Sequence, residues 1–147
     1  SQWERALQLL GDLELELVRP TVVSFSAAIS ACEKGARWEQ ALYLLDQLRQ
    51  SGIKPNVVSF NAAISACEKA SQWERALQLL GDLELELVRP TVVSFSAAIS
   101  ACEKGARWEQ ALYLLDQLRQ SGIKPNVVSF NAAISACEKA SQWERAL

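Results

Sequence analysis

Apolar residues recur along the chain at helical spacing. Between Val57 and Lys69, the side chains Val57, Phe60, Ile64 and Cys67 fall on one face of a helix. From Gln72 to Leu85 a second helix is predicted, with Trp73, Ala76, Leu77, Leu80 and Leu83 as its buried stripe. Trp108, Ala111, Leu112, Leu115 and Leu118 repeat that stripe further along. Asn56, behind Pro55, suits the N-cap of the first helix, and Thr91, behind Pro90, the same place one unit on. Ser71 and Glu74 have the spacing of a capping box for the second helix. Gly122 suits the residue just past a helix end. Leu85-Glu86-Leu87 has no glycine and alternates with period two, so a looser or differently shaped turn is expected there.

These blocks are parts of a repeat. Residues 1–70 recur unchanged as 71–140, and 141–147 begin a third copy. Within each 70-residue unit lies a degenerate period of 35, with about twenty of 35 positions shared between 22–56 and 57–91. The complete repeats are 22–56, 57–91 and 92–126. Residues 1–21 read as the second helix of a preceding repeat, and 127–147 as the front of a following one. One helix pair cannot bury its own apolar stripes, whereas stacked pairs can. The expected fold is an all-α, right-handed superhelical solenoid of helix-turn-helix repeats with a concave inner face. The chain contains no methionine and is cut in mid-motif at both ends, so it is expected to be a piece of a longer array. Trp3 and Trp143 lie in the end pieces, where uncapped apolar surface favours end-to-end self-association.

Composition narrows the chemistry. The formal net charge is −2, unlike the strongly basic balance of proteins that live on phosphate contacts. No apolar run is long enough to span a bilayer, and no targeting segment opens the chain. Cys32, Cys67, Cys102 and Cys137 recur in one context, Ser-Ala-Cys-Glu-Lys, without close Cys pairs or any histidine. They read as small core residues, and no metal or cofactor is expected. Without histidine, a glycine-rich phosphate loop or a ligand cluster, no enzyme class is indicated.

Beside the core stripe of the first helix runs a second one: Val58, Asn61, Ser65 and Glu68, matched by Val93, Ser96, Ser100 and Glu103. It is expected to line the inner groove. Val58 stands there among polar neighbours. The next position alternates between Asn (Asn61, Asn131) and Ser (Ser26, Ser96) inside an otherwise constant helix. A readout position and a drifting solvated position would both show this. Lys34, Lys69, Lys104 and Lys139 recur near the helix end. They complement the helix dipole, and could equally track a phosphate backbone, although Glu33, Glu68, Glu103 and Glu138 beside them offset that field.

The wording VVSFNAAISACEK, then WERAL, then the closing IKPN, at a period of 35, resembles the pentatricopeptide repeat over essentially the whole chain. The resemblance implies a modular reader of single-stranded RNA, one base per repeat. It implies base packing by Val23, Val58, Val93 and Val128. It also implies base selection by the fifth and last residues of each repeat: Ser26 with Asn56, Asn61 with Thr91, and Ser96 with Asn126, with Asn131 lacking its partner. By the family's pattern the preference is adenine, pyrimidine, adenine, and Thr91 leaves uracil against cytosine open. Work in RNA processing, stability or translation in mitochondria or chloroplasts is implied by the same resemblance. The competing reading is a protein-binding helical scaffold of tetratricopeptide type, which the net acidity and the glutamate row favour.

Overall fold

The computed structural model describes residues 1–16 and 20–146, with the side chains of Glu14 and 142–147 outside the description. Among the described residues every regular element is a helix: α1 Gln2–Leu15, α2 Val22–Lys34, α3 Trp38–Gln50, α4 Val57–Lys69, α5 Trp73–Leu85, α6 Val92–Lys104, α7 Trp108–Gln120 and α8 Val127–Ala146. Each helix packs on its neighbours in sequence. In addition α2, α4, α6 and α8 pack on one another as a continuous layer. Among the described residues no two of α1, α3, α5 and α7 pack together, so the second helices are splayed apart outside that layer. A tight inner layer and a spread outer one curve the stack around the first helices. Among the described residues no helix is long and apolar enough to cross a membrane.

The first helices start where the sequence says. Asn56 is extended, its Oδ1 accepts the Ser59 N–H at 3.0 Å, and Ser59 Oγ accepts the Asn56 N–H at 3.0 Å. The second helices do not start as expected. Ser71 is not a cap but sits at φ 58°, and α5 begins at Trp73 behind Gln72, which makes no side-chain cap bond. The reason lies in how α4 ends. Ser71 N–H donates to the Glu68 carbonyl at 3.1 Å and Gln72 N–H to that of Cys67 at 2.8 Å. This left-handed closure uses up the residues a capping box would need. Glu74 is left in the first turn, favourably placed on the helix dipole.

The expectation for Leu85-Glu86-Leu87 is also corrected. Leu87 adopts φ 58° and donates to the Glu84 carbonyl at 3.1 Å, while Val88 donates to that of Leu83 at 2.8 Å. Gly52 makes the same closure, donating to Arg49 at 3.0 Å, followed by Ile53 to Leu48 at 3.3 Å. The turn keeps its shape without glycine.

The core holds Phe60, Ile64, Cys67, Ala76, Leu80 and Leu83 as expected, with Val57, Trp73 and Leu77 half-buried. It also holds Ala62, Ala63, Ala66 and Leu79. A central first helix such as α4 touches α2, α3, α5 and α6. Alanine on several sides lets four helices approach it. Ala111, Leu115 and Leu118 are buried, but Trp108 and Leu112 are exposed, because α8 runs on as one helix where earlier repeats turn back into a second. Trp3 packs against the core, and the Trp143 side chain lies outside the described residues.

Successive repeats meet in two alternating ways. Where 57–91 meets 92–126, the Trp73 ring lies against Gly105 and under Arg107, whose guanidinium carbon is 4.6 Å from the ring centroid. Trp3, Gly35 and Arg37 repeat this at 4.8 Å. A Cβ on Gly35 would stand 2.8 Å from Trp3 Cδ1. Where 22–56 meets 57–91, the glycine position holds Ala70. There Arg75 approaches Trp38 at 5.8 Å, and Arg49 reaches across to α5. Arg49 Nη2 is 2.6 Å from Glu86 Oε2, Nε is 3.2 Å from Oε1, and Asp82 is 3.8 Å away.

Candidate nucleic-acid interface

The valines at the second place of the first helices are exposed: Val23 by 72%, Val58 by 55%, Val93 and Val128 by 52% each. A β-branched apolar side chain held in solvent on a rigid helix offers a flat, stiff surface to a planar ligand. Asn61, Ser65 and Glu68 lie half-buried along the same face.

The fold brings together the residues that sequence paired at 30 positions' separation. Ser26 Oγ donates to Asn56 Oδ1 at 3.5 Å, Asn61 Nδ2 to Thr91 Oγ1 at 3.2 Å, and Ser96 Oγ to Asn126 Oδ1 at 3.3 Å. The cause is the stacking of first helices: the last residue of one repeat caps the next helix, and that cap lies beside the fifth residue of the helix before. Capping also orients the amides. Asn56 and Asn126 spend Oδ1 on the N–H groups of Ser59 and Ser129, both at 3.0 Å, which turns Nδ2 away from the helix end. Ser26 and Ser96 are buried to 6% exposure, whereas Asn61 is half-buried and Asn131 exposed.

The lysines form a ladder with the glutamates of the preceding repeat. Lys69 pairs with Glu33 at 2.9 Å, Lys104 with Glu68 at 2.9 Å, and Lys139 with Glu103 at 2.8 Å. Lys104 also donates to the Glu68 carbonyl at 3.3 Å. Lys34 is exposed at the end of α2. These partly exposed pairs hold repeats in register more than they add stability, and they compensate the ammonium charges.

Cys32, Cys67 and Cys102 are fully buried and Cys137 is half-buried, all as free thiols. Burial pushes the thiols of Cys67 and Cys102 up to about 11, which keeps them protonated and inert. Among the described residues no group of side chains able to hold a metal comes together.

One residue type at the interface escaped the sequence reading: the serine at the third place of each first helix, Ser24, Ser59, Ser94 and Ser129. Its signal was its constancy beside changing cap residues, Thr21, Asn56, Thr91 and Asn126.

Models of the pentatricopeptide repeat match residues 23–53, 43–105 and 90–139, described respectively as PPR repeat, pentatricopeptide repeat domain and PPR repeat family. The chain belongs to the pentatricopeptide repeat family. No curated protein sequence matches it. Among solved structures it is similar to the pentatricopeptide repeat protein PPR10 in complex with an 18-nt psaJ RNA element, at 28% identity and TM-score 0.74 over 83% of this chain. PPR10 from maize also matches, at 27% identity and TM-score 0.72 over 92% of this chain. The chain spans under a fifth of PPR10, 18% and 19% in the two structures. The PPR domain of Arabidopsis thaliana protein-only RNase P 1, in complex with tRNA, shares the fold at TM-score 0.83 and 12% identity, over 97% of this chain and 75% of that domain.

Proposed function

We propose that the chain binds single-stranded RNA and reads one base per repeat. The observation that carries this is the pairing of Ser26 with Asn56, Asn61 with Thr91, and Ser96 with Asn126, each pair beside an exposed valine on the inner layer. Val23, Val58, Val93 and Val128 pack against bases, and the polar pairs offer donors and acceptors to the base edges. The preference is adenine, pyrimidine, adenine from 5′ to 3′ along the chain, with Asn131 beginning a further pyrimidine position. Lys34, Lys69, Lys104 and Lys139 add weak phosphate contacts, since an ammonium in an ion pair keeps donors to spare. The RNA complexes of PPR10 and of the RNase P domain are consistent with this reading. The array serves organellar RNA processing, stability or translation, as is common in the family.

Stacking contributes about 1–3 kcal/mol per base, so three bases give roughly 3–9 kcal/mol against an association cost of at least about 4 kcal/mol. This segment alone therefore binds weakly. It also self-associates end to end: α7 and α8 carry the residues of α3 and α4, which in the interior cover the face that α1 and α2 present.

Fluorescence anisotropy tests the reading with three labelled RNAs: alternating adenine and pyrimidine, the purine–pyrimidine swap, and the matching duplex. The first is expected to bind tightest, and Ser96→Asn to shift the preference at its place toward pyrimidine. Equal or absent binding at low salt would overturn the proposal in favour of a peptide-binding scaffold, the alternative that the charge-compensated ladder fits.

A further inference from the structure

The third-position serine has one hydroxyl proton to place. Ser59, Ser94 and Ser129 are fully buried, so that proton must go to a protein acceptor. In the two Asn-capped helices it goes backwards to the cap residue's own carbonyl: Ser59 Oγ to Asn56 and Ser129 Oγ to Asn126, both at 2.7 Å. Ser94 does otherwise. It still accepts the Thr91 N–H at 3.0 Å, but it donates to Oδ1 of Asn61 on the preceding first helix.

The difference follows from side-chain length. Ser26 and Ser96 precede Ser59 and Ser129, and a hydroxyl on Cβ reaches only the cap, at 3.5 and 3.3 Å. Asn61 carries its amide one carbon further and reaches both neighbours. Its Oδ1 takes the Ser94 proton, and its Nδ2 donates to Thr91 Oγ1 at 3.2 Å. The amide is held at both ends. One N–H of Nδ2 and one lone pair of Oδ1 remain to be offered elsewhere.

We propose that Ser94 is a positioning residue for base selection, which locks the Asn61 amide in one orientation so that repeat 57–91 distinguishes uracil from cytosine. The proposal rests on the RNA reading given above. A half-turn about the Asn61 Cβ–Cγ bond exchanges its donor and its acceptor. Uracil and cytosine differ by the same exchange: a carbonyl and an N–H in one, an amino group and a ring lone pair in the other. A free amide turns to suit either base, whereas a locked one suits only one. Thr91 alone cannot impose the lock, because a hydroxyl accepts from Nδ2 or donates to Oδ1 equally well. Ser94 biases that choice: in the observed orientation its oxygen accepts from the Thr91 backbone and its proton goes to Oδ1, whereas a turned amide would send that proton back to the cap carbonyl, where Ser59 and Ser129 place theirs.

The test uses the full chain and two RNAs that differ only in the pyrimidine facing repeat 57–91. The wild-type chain is expected to prefer one of them, and Ser94→Ala to cut the ratio by about two- to tenfold, the worth of one hydrogen bond. Ser51→Ala removes an exposed hydroxyl at the end of α3, where it donates to the Gln47 carbonyl, and is expected to leave that ratio unchanged. A second readout needs no RNA. In NMR spectra the Asn61 Nδ2 protons are expected to show contacts to Thr91 in the wild type that weaken in Ser94→Ala. Wild-type binding with no preference between the two RNAs, or a preference that survives Ser94→Ala, overturns this proposal alone. Failure of the wild-type chain to bind either RNA overturns the RNA reading, and this proposal with it.

Discussion

Leu87 occupies a backbone conformation that disfavours any side chain. Its φ is 58° and it is 86% exposed, so it pays conformationally without packing in return. Left-handed backbone costs an L-residue roughly 1–2 kcal/mol. Leu87→Gly is therefore expected to stabilise the chain by up to about 1 kcal/mol, after the added freedom of the unfolded glycine is offset. Urea denaturation measures this, and a loss of stability would show that the turn is closed differently. The buried thiols give a second expectation at this scale. Cys67 and Cys102 hold their protons up to about 11, against an ordinary 9.0, so above pH 9 the folded state binds more protons than the unfolded one. Their contribution is fully present below that pH and is lost as pH rises through the window to about 11. Stability followed by denaturation at several alkaline pH values is expected to fall, and to fall less steeply in Cys67→Ala. The thiols were legible as core residues from their context. The contact of Ser94 with Asn61 was not, because it is fixed by the distance between stacked helices and by no local pattern.

At the scale of the element, the first helices were legible to the residue: Val57–Lys69 has a strong period and an Asn cap that nothing overrides. The second helices were legible in their stripes and not in their starts, because the closure of the preceding helix decides where the chain re-enters. The alanines were missed because an apolar stripe describes one face, whereas α4 is packed from several. Close approach also explains the glycine position. Adding a methyl at Gly105 drives it into the Trp73 ring. Gly105→Ala is expected to destabilise the chain by about 1–3 kcal/mol, the usual cost of overpacking. Combining it with Trp73→Leu is expected to cost less than the sum of the two changes, which a double-mutant cycle in urea would reveal as coupling. Strict additivity would mean that the ring is not seated on Gly105.

At the scale of the molecule, the repeats set a lysine at the end of each first helix, and Lys69, Lys104 and Lys139 pair with glutamates from the preceding repeat. On the proposed RNA reading, binding is expected to depend weakly on salt. A plot of log affinity against log salt concentration is expected to be shallower than about −1.4, the slope for two phosphate contacts on a single strand. A slope near −2.8 would mean that all four lysines reach phosphates. The solenoid was legible from periodicity, because each repeat contacts only its neighbours and a local pattern therefore propagates. The sense of the alternation between repeats was not legible, since it shows only where side chains from different repeats meet.

That alternation sets a rule of parity on how such an array can change length. Loss of 57–91 would bring 22–56 against 92–126, and Arg49 would then face Gln117 and Ser121 in place of Asp82 and Glu86. Loss of 92–126 would bring Trp73 against Ala140 in place of Gly105. Either single loss leaves a mismatched seam. Loss or gain of two adjacent repeats restores every neighbour, so unequal recombination can lengthen or shorten this array silently only in steps of 70 residues, the unit that recurs unchanged in its sequence.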